Sequence, residues 1–129
     1  MNNFKNRYLH YERETESANE WLDAADWIFC LDFNTLSRTK RMAEKLASVS
    51  GEKILIDHHQ EPQVEVFAYG ISNTGKSSTA EMVFDFILAS GYSEKITDEV
   101  AQCIYAGVMT DTGSFRFPST TASVHRLIA

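Results

Sequence analysis

The sequence predicts an α/β fold, a mostly parallel sheet flanked by helices. Three observations carry that prediction. Two short apolar runs, 26–32 and 53–57, have the length and density of buried parallel strands, and each ends in an acid. Amphipathic helical stretches lie between and after them. Strand alternating with helix is the order from which βαβ units, and so parallel sheets, are built. At 129 residues the chain suffices for one compact domain with a moderate core.

The elements follow in order. Residues 1–15 are polar and aromatic, with weak periodicity. Glu16 to Ala25 reads as a short helix with Trp21, Leu22 and Ala25 on one face. Asp26-Trp27-Ile28-Phe29-Cys30-Leu31-Asp32 is a buried strand. Asn34-Thr35 open a helix from about Leu36 to Ser50, with Leu36, Met42, Ala43, Leu46 and Val49 as its apolar stripe and Arg38, Arg41 and Lys45 on another face. Gly51-Glu52 turn into the central strand. Gln60–Gln63 is a loop, and Val64–Tyr69 alternates like a strand near a sheet edge. Gly70–Ser77 is a turn. Ser78–Ala89 is an amphipathic helix stopped by Gly91. Thr97 caps a helix that runs to about Met109. Residues 110–114 break it, Phe115-Arg116-Phe117-Pro118 is extended, and Ser119-Thr120-Thr121 cap a last helix.

Composition narrows the function classes. Hydrophobic residues make up 43% and charged residues 23%, an ordinary globular balance. No apolar run reaches membrane-spanning length, and Met1–Arg7 carries no signal-peptide core, so a cytoplasmic location is expected. Cys30 and Cys103 sit inside apolar runs and read as free core thiols. The net charge of −6 argues against sequence-independent binding of long nucleic acid. It leaves room for a small anionic substrate held by metal ions, which bring their own positive charge.

The chemistry-bearing stretch is Lys53-Ile54-Leu55-Ile56-Asp57-His58-His59. Open α/β sheets bind ligands at the carboxyl ends of their strands, which is where Asp57, His58 and His59 would stand. Neighbouring strand residues face opposite ways, so the two histidines should not share one role. Asp32 and Asp111 end two other elements. Carboxylates with imidazoles and no thiolate suit Mn²⁺-like ions rather than structural zinc. Two such ions can share a bridging water and clamp a phosphoryl group. Arg38, close to Asp32 in sequence, can lean toward an anion there.

These residues resemble the DHH phosphoesterases. Asp57-His58-His59 stands as the family's named motif after an aliphatic strand. Residues 25–34, followed by Arg38, resemble the pattern that precedes it. Ser77-Ser78-Thr79-Ala80-Glu81-Met82 resembles the family's helix opening, and residues 107–116 its fourth motif. The matches fall in order and span nearly the whole chain. Within the family the sequence looks most like the bacterial bifunctional oligoribonuclease and pAp phosphatase branch. The resemblance implies metal ligation by Asp32, His58 and Asp111, with Asp32 bridging. It implies that Asp57 orients an imidazole, that His59 contacts the scissile phosphate, and that Arg116 binds a substrate anion. The implied cofactor is Mn²⁺, two ions in the complete domain, with Mg²⁺ a possible substitute. The implied partners are short RNA oligonucleotides or small nucleotide phosphates such as 3′-phosphoadenosine 5′-phosphate; a homodimer stays open.

Two family features have no counterpart here: the first Asp/His motif and the C-terminal substrate-binding domain. Residues 1–129 therefore read as a partial DHH domain, expected to be inactive or nearly so alone and to lack the first strand of its sheet. Two other readings stand beside this one. Gly70-Ile71-Ser72-Asn73-Thr74-Gly75-Lys76-Ser77 fits the phosphate-loop pattern G-x-x-x-x-G-K-[ST], in which backbone amides and Lys76 would hold phosphates. Alternatively, the chain is a non-catalytic remnant or interaction module.

Overall fold

The computed structural model describes residues 8–129. The leader-free reading of Met1–Arg7 falls outside them. The described chain forms α1 (Thr15–Ala24), β1 (Trp27–Leu31), a 3₁₀ segment (Leu36–Met42), α2 (Ala43–Ser48), β2 (Glu52–Asp57) and a 3₁₀ turn (Val64–Val66). It continues through β3 (Tyr69–Ser72), α3 (Thr79–Ala89), a 3₁₀ turn (Ser93–Lys95), α4 (Asp98–Asp111) and α5 (Ala122–Ile128). The three strands form one sheet in the order β1-β2-β3, all parallel. The α/β architecture expected from the sequence is the one observed.

The central strand is β2. Ile54, Leu55, Ile56 and Asp57 are all buried, so both of its faces are covered. Its register sets Leu31 beside Ile56 and Asp57 beside Ser72, which brings the strand ends to one edge. Gly70 permits the close pairing with β3: a Cβ there would lie 2.8 Å from the Leu55 Cβ. Helix α3 packs over β2, and α4 packs on α3. The tightest point of the helix pair is Gly107 on α4, where a Cβ would stand 2.6 Å from the Ala80 Cβ. A second apolar cluster of Ile104, Val108 and Val124 joins α4 to α5.

Several expectations need correction. β1 is not a buried strand: of its five residues only Cys30 is buried, while Trp27, Phe29 and Leu31 are 64%, 45% and 43% exposed. Its place at the sheet edge explains this, because α3 lies over β2 and reaches β1 through the edge-on contact of Phe86 with Phe29. The helix expected over 36–50 is broken at Lys40, whose φ of 54° is left-handed; only Ala43–Ser48 is α-helical. The strand expected at Val64–Tyr69 starts at Tyr69 instead. A 3₁₀ turn occupies Val64–Val66, and pairing with β2 begins where the Ala68 amide donates to Lys53. Phe115–Pro118 is a compact turn rather than extended chain. Gly113, Ser114 and Phe115 have φ of 57°, 59° and 64°, and the amides of Arg116 and Phe117 both donate to the Thr112 carbonyl. Trp21 is exposed, and the buried residue of α1 is Ala18. Cys103 is exposed and not a core thiol. No helix among the described residues is long and apolar enough to cross a membrane.

Candidate metal centre

Asp32 follows β1 directly and takes a left-handed φ of 65°. Aspartate enters that region more readily than most side chains. The Asp32 amide donates to the Ile56 carbonyl at 3.2 Å, extending the β1–β2 ladder by one bond. The Thr79 hydroxyl, at the start of α3, donates to Asp32 Oδ1 at 3.0 Å. Strand end and helix start together fix this carboxylate.

β2 delivers the two histidines into different surroundings. Asp57 is fully buried, and both its oxygens serve His59: Oδ2 accepts the backbone N–H and Oδ1 the ring Nδ1, each at 2.8 Å. The ring therefore carries its proton on Nδ1. Its Nε2 lone pair meets the Arg38 guanidinium at 3.3 Å. His58 turns the other way. Its Nδ1 lies 3.3 Å from the Lys76 carbonyl, which can only accept, so Nδ1 bears the proton. In the neutral ring that leaves the Nε2 lone pair free, 3.6 Å from Asp32 Oδ1 and 3.6 Å from Asp111 Oδ2.

Asp111 is the last residue of α4, two residues beyond the expected helix end. Thr112 carries the helix on, with its amide and hydroxyl both bonded to the Val108 carbonyl, and Gly113 then closes it in the left-handed region. Burial first, and then the charge of Asp32, push the Asp111 carboxyl up; His58 and His59 pull it back. Two carboxylates held close without a cation are a standing repulsion that a bound cation relieves.

Ligand atoms of Asp32, His58 and His59 lie within 4.8 Å of one another. Imidazole nitrogen with carboxylate oxygen fits a borderline-to-hard divalent ion. His59 is the least available of the three, because Asp57 and Arg38 already hold both ring nitrogens. Beside the carboxylates opens a cleft of about 320 Å³ lined by Leu31, Asp32, Thr79, Val83, Cys103 and Asp111, among others. A separate apolar groove of about 350 Å³, lined by Phe84, Ile96, Tyr105 and Leu127 among others, contains none of these groups.

Residues 2–108 match the family model described as "DHH family, N-terminal domain". The chain belongs to the DHH family. It is 34% identical over 125 residues to the Bifunctional oligoribonuclease and PAP phosphatase NrnA of Thermus thermophilus, covering 95% of this chain and 36% of that protein. It is 37% identical over 76 residues to the protein of the same name from Bacillus subtilis, covering 56% of this chain and 23% of that one. Among solved structures it superposes on an exopolyphosphatase-related protein from Bacteroides fragilis with a TM-score of 0.90 and 42% identity, covering 93% of this chain and 35% of the other. The chain thus spans little more than a third of these relatives at most.

Within this DHH domain the structure brings together Asp32, Asp57, His58, His59, Asp111 and Arg38. Arg116 stands apart: its Nε donates to the Gly113 carbonyl, and its described contacts stay within its own turn. Sequence reasoning missed Thr79, the Lys76 carbonyl and Asn34. Asn34 is buried, donates to the Gln60 carbonyl at 2.7 Å and accepts the Gln63 amide, tying down the loop after His59. Carbonyls carry no side-chain signature, and nothing in the sequence marks Asn34 as buried. The phosphate-loop pattern does not build a cradle. Gly70–Ser72 are strand, Lys76 pairs with Glu81 and Asp85, and the Ser77 amide and hydroxyl are both taken by Glu81.

Proposed function

We propose that this DHH domain forms part of a metal-dependent phosphoesterase site acting on short oligoribonucleotides or 3′-phosphoadenosine 5′-phosphate. The observation that carries the reading is that His58 Nε2 lies 3.6 Å from both Asp32 Oδ1 and Asp111 Oδ2 at the carboxyl edge of the sheet, with His59 clustered beside Asp32 and His58. A divalent ion such as Mn²⁺ would be held by His58 Nε2 with the carboxylates of Asp32 and Asp111. When bound, it would supply Lewis-acid charge for the transferring phosphoryl group and an acidified water.

The chain's own residues do the rest. Thr79 holds the Asp32 carboxylate in place, and the Lys76 carbonyl holds the His58 ring. Asp57 fixes His59 as the Nδ1–H tautomer. His59 and Arg38 form a pair at the rim, where an incoming phosphate would take the guanidinium's donors. Arg38 then stabilises charge that develops on non-bridging oxygens. The relatives' printed names, oligoribonuclease and PAP phosphatase, support the choice of substrate class. Among the described residues there is one cluster of this kind, so a second ion needs ligands from elsewhere. Turnover by the 129-residue chain alone is accordingly expected to be slight.

The test is a Mn²⁺ titration by calorimetry, with His58→Ala as control. One ion, lost in the variant, supports the reading. Equal binding by both proteins, or none by the wild type at millimolar Mn²⁺, overturns it.

A further inference from the structure

We propose that Glu81 is a positioning residue for His58, acting through the peptide bond between Lys76 and Ser77. The inference rests on the reading of His58 as a metal ligand, and its geometry stands independently of any ion.

Glu81 lies in the first turn of α3 and is 2% exposed. A buried carboxylate is costly unless hydrogen-bonded, and this one is well supplied. Oε2 accepts the Ser77 amide at 2.9 Å and the Ser77 hydroxyl at 2.8 Å; Oε1 accepts Lys76 Nζ at 3.3 Å and the Ser123 hydroxyl of α5 at 3.1 Å. Part of this is helix capping. The N-cap is Ser78, whose hydroxyl accepts the Glu81 amide at 3.1 Å. In an ordinary capping box the glutamate would return to the N-cap residue's own N–H. Here it reaches one residue further out, to Ser77.

That displacement matters because of what shares the peptide group. The Ser77 N–H and the Lys76 C=O belong to one rigid plane and point in opposite directions. Glu81 grips the N–H, and His58 Nδ1 meets the C=O at 3.3 Å. Fixing the first orients the second. The oriented carbonyl keeps the proton on Nδ1 and turns Nε2 toward Asp32 and Asp111. Capping alone would not require this route, nor the extra donor from α5.

The experiment reads the tautomer directly. In the metal-free wild-type chain, ¹⁵N spectra of the His58 ring, taken at alkaline pH where its shifts no longer change with pH, should show Nδ1–H as the major form. Nε2–H as the major form overturns the proposal. In Glu81→Ala the Nδ1–H fraction should fall, and the Mn²⁺ dissociation constant should rise about tenfold. Ser77→Ala keeps the amide and should leave the tautomer unchanged. A folded Glu81→Ala with the wild-type tautomer, or Ser77→Ala shifting it as far, overturns the assignment. Should Glu81→Ala fail to fold, Glu81→Asp, one methylene short of the Ser77 amide, carries the same expectation. If His58→Ala binds Mn²⁺ as the wild type does, the metal reading fails, while the tautomer still decides the role of Glu81.

Discussion

Replacing Gly107 by alanine tests how the helix pair holds the site. In an exposed helix interior this change stabilises by about 1 kcal/mol, since glycine is the poorer helix former. Here the new methyl would sit 2.6 Å from the Ala80 Cβ, where ordinary contact begins at 3.4 Å. Both atoms are fixed to helix backbones, so no rotamer change relieves the overlap. The helices must part by close to an ångström. Overpacking of this kind costs about 1–3 kcal/mol. Against the propensity gain, the net is a loss of about 0–2 kcal/mol. The larger effect falls on Asp111, one turn further along α4 and 3.6 Å from His58 Nε2. A displacement near 1 Å at such a site costs about a hundredfold where geometry governs function. Mn²⁺ affinity, by calorimetry, should therefore fall far more than stability, by urea unfolding. The double variant Ala80→Gly/Gly107→Ala removes the clash and leaves the new methyl 4.0 Å from the nearest Ala80 backbone atom. It should recover Mn²⁺ affinity at close to wild-type stability, because the glycine that weakens α3 by about 1 kcal/mol is offset by the alanine that strengthens α4 by about as much. A Gly107→Ala chain that is more stable and binds Mn²⁺ as the wild type does would refute the reasoning.

Asp111→Asn should raise the thermal midpoint of the metal-free chain, because burial and Asp32 both disfavour the charge it removes, and should weaken Mn²⁺ binding; a lowered midpoint with intact binding contradicts this. For the Glu81 carboxyl, burial alone would raise the pKa, yet hydrogen bonds from Ser77 and Ser123 and the charge of Lys76 hold it below the usual range. The stability it contributes is present above the ordinary glutamate pKa and is lost as pH falls through the lowered one. Acid titration followed by circular dichroism should show Glu81→Gln with a flatter stability profile than the wild type below about pH 5; parallel profiles would speak against it. Iodoacetamide should label Cys103, which is exposed, and spare Cys30, whose thiol burial pushes up to about 11. Mass spectrometry finding Cys30 alkylated in the folded chain would overturn that burial.

The sequence made β2 legible because a strand covered on both faces must be apolar throughout, and Ile54-Leu55-Ile56 can be little else. Its acid and two histidines fell at the expected sheet edge. The same logic misjudged β1: an edge strand with exposed Trp27, Phe29 and Leu31 has the same composition as a central one. β3 was displaced because Val64-Glu65-Val66 has strand-like alternation, while pairing starts only at Ala68. The turn after α4 was hidden because Ser114 and Phe115, unlike Gly113, give no warning of a positive φ. At the site, side chains were readable and their supports were not. The bonds of Thr79 to Asp32 and of His58 to the Lys76 carbonyl depend on tertiary placement.

Asp32, His58 and Asp111 come from the ends of β1, β2 and α4, far apart along the chain. Such a constellation exists only when the sheet and the α3–α4 pair have both formed. An unfolded chain offers the same groups scattered, with the cost of closing long loops still to be met. Any ion taken up there would accordingly bind the native state almost alone. At a hundredfold excess over its dissociation constant it would deepen the folding free energy by about 2.7 kcal/mol. For a single domain with an exposed strand edge, that is a substantial share of the whole. Ion supply would then govern the lifetime of the fold against proteolysis.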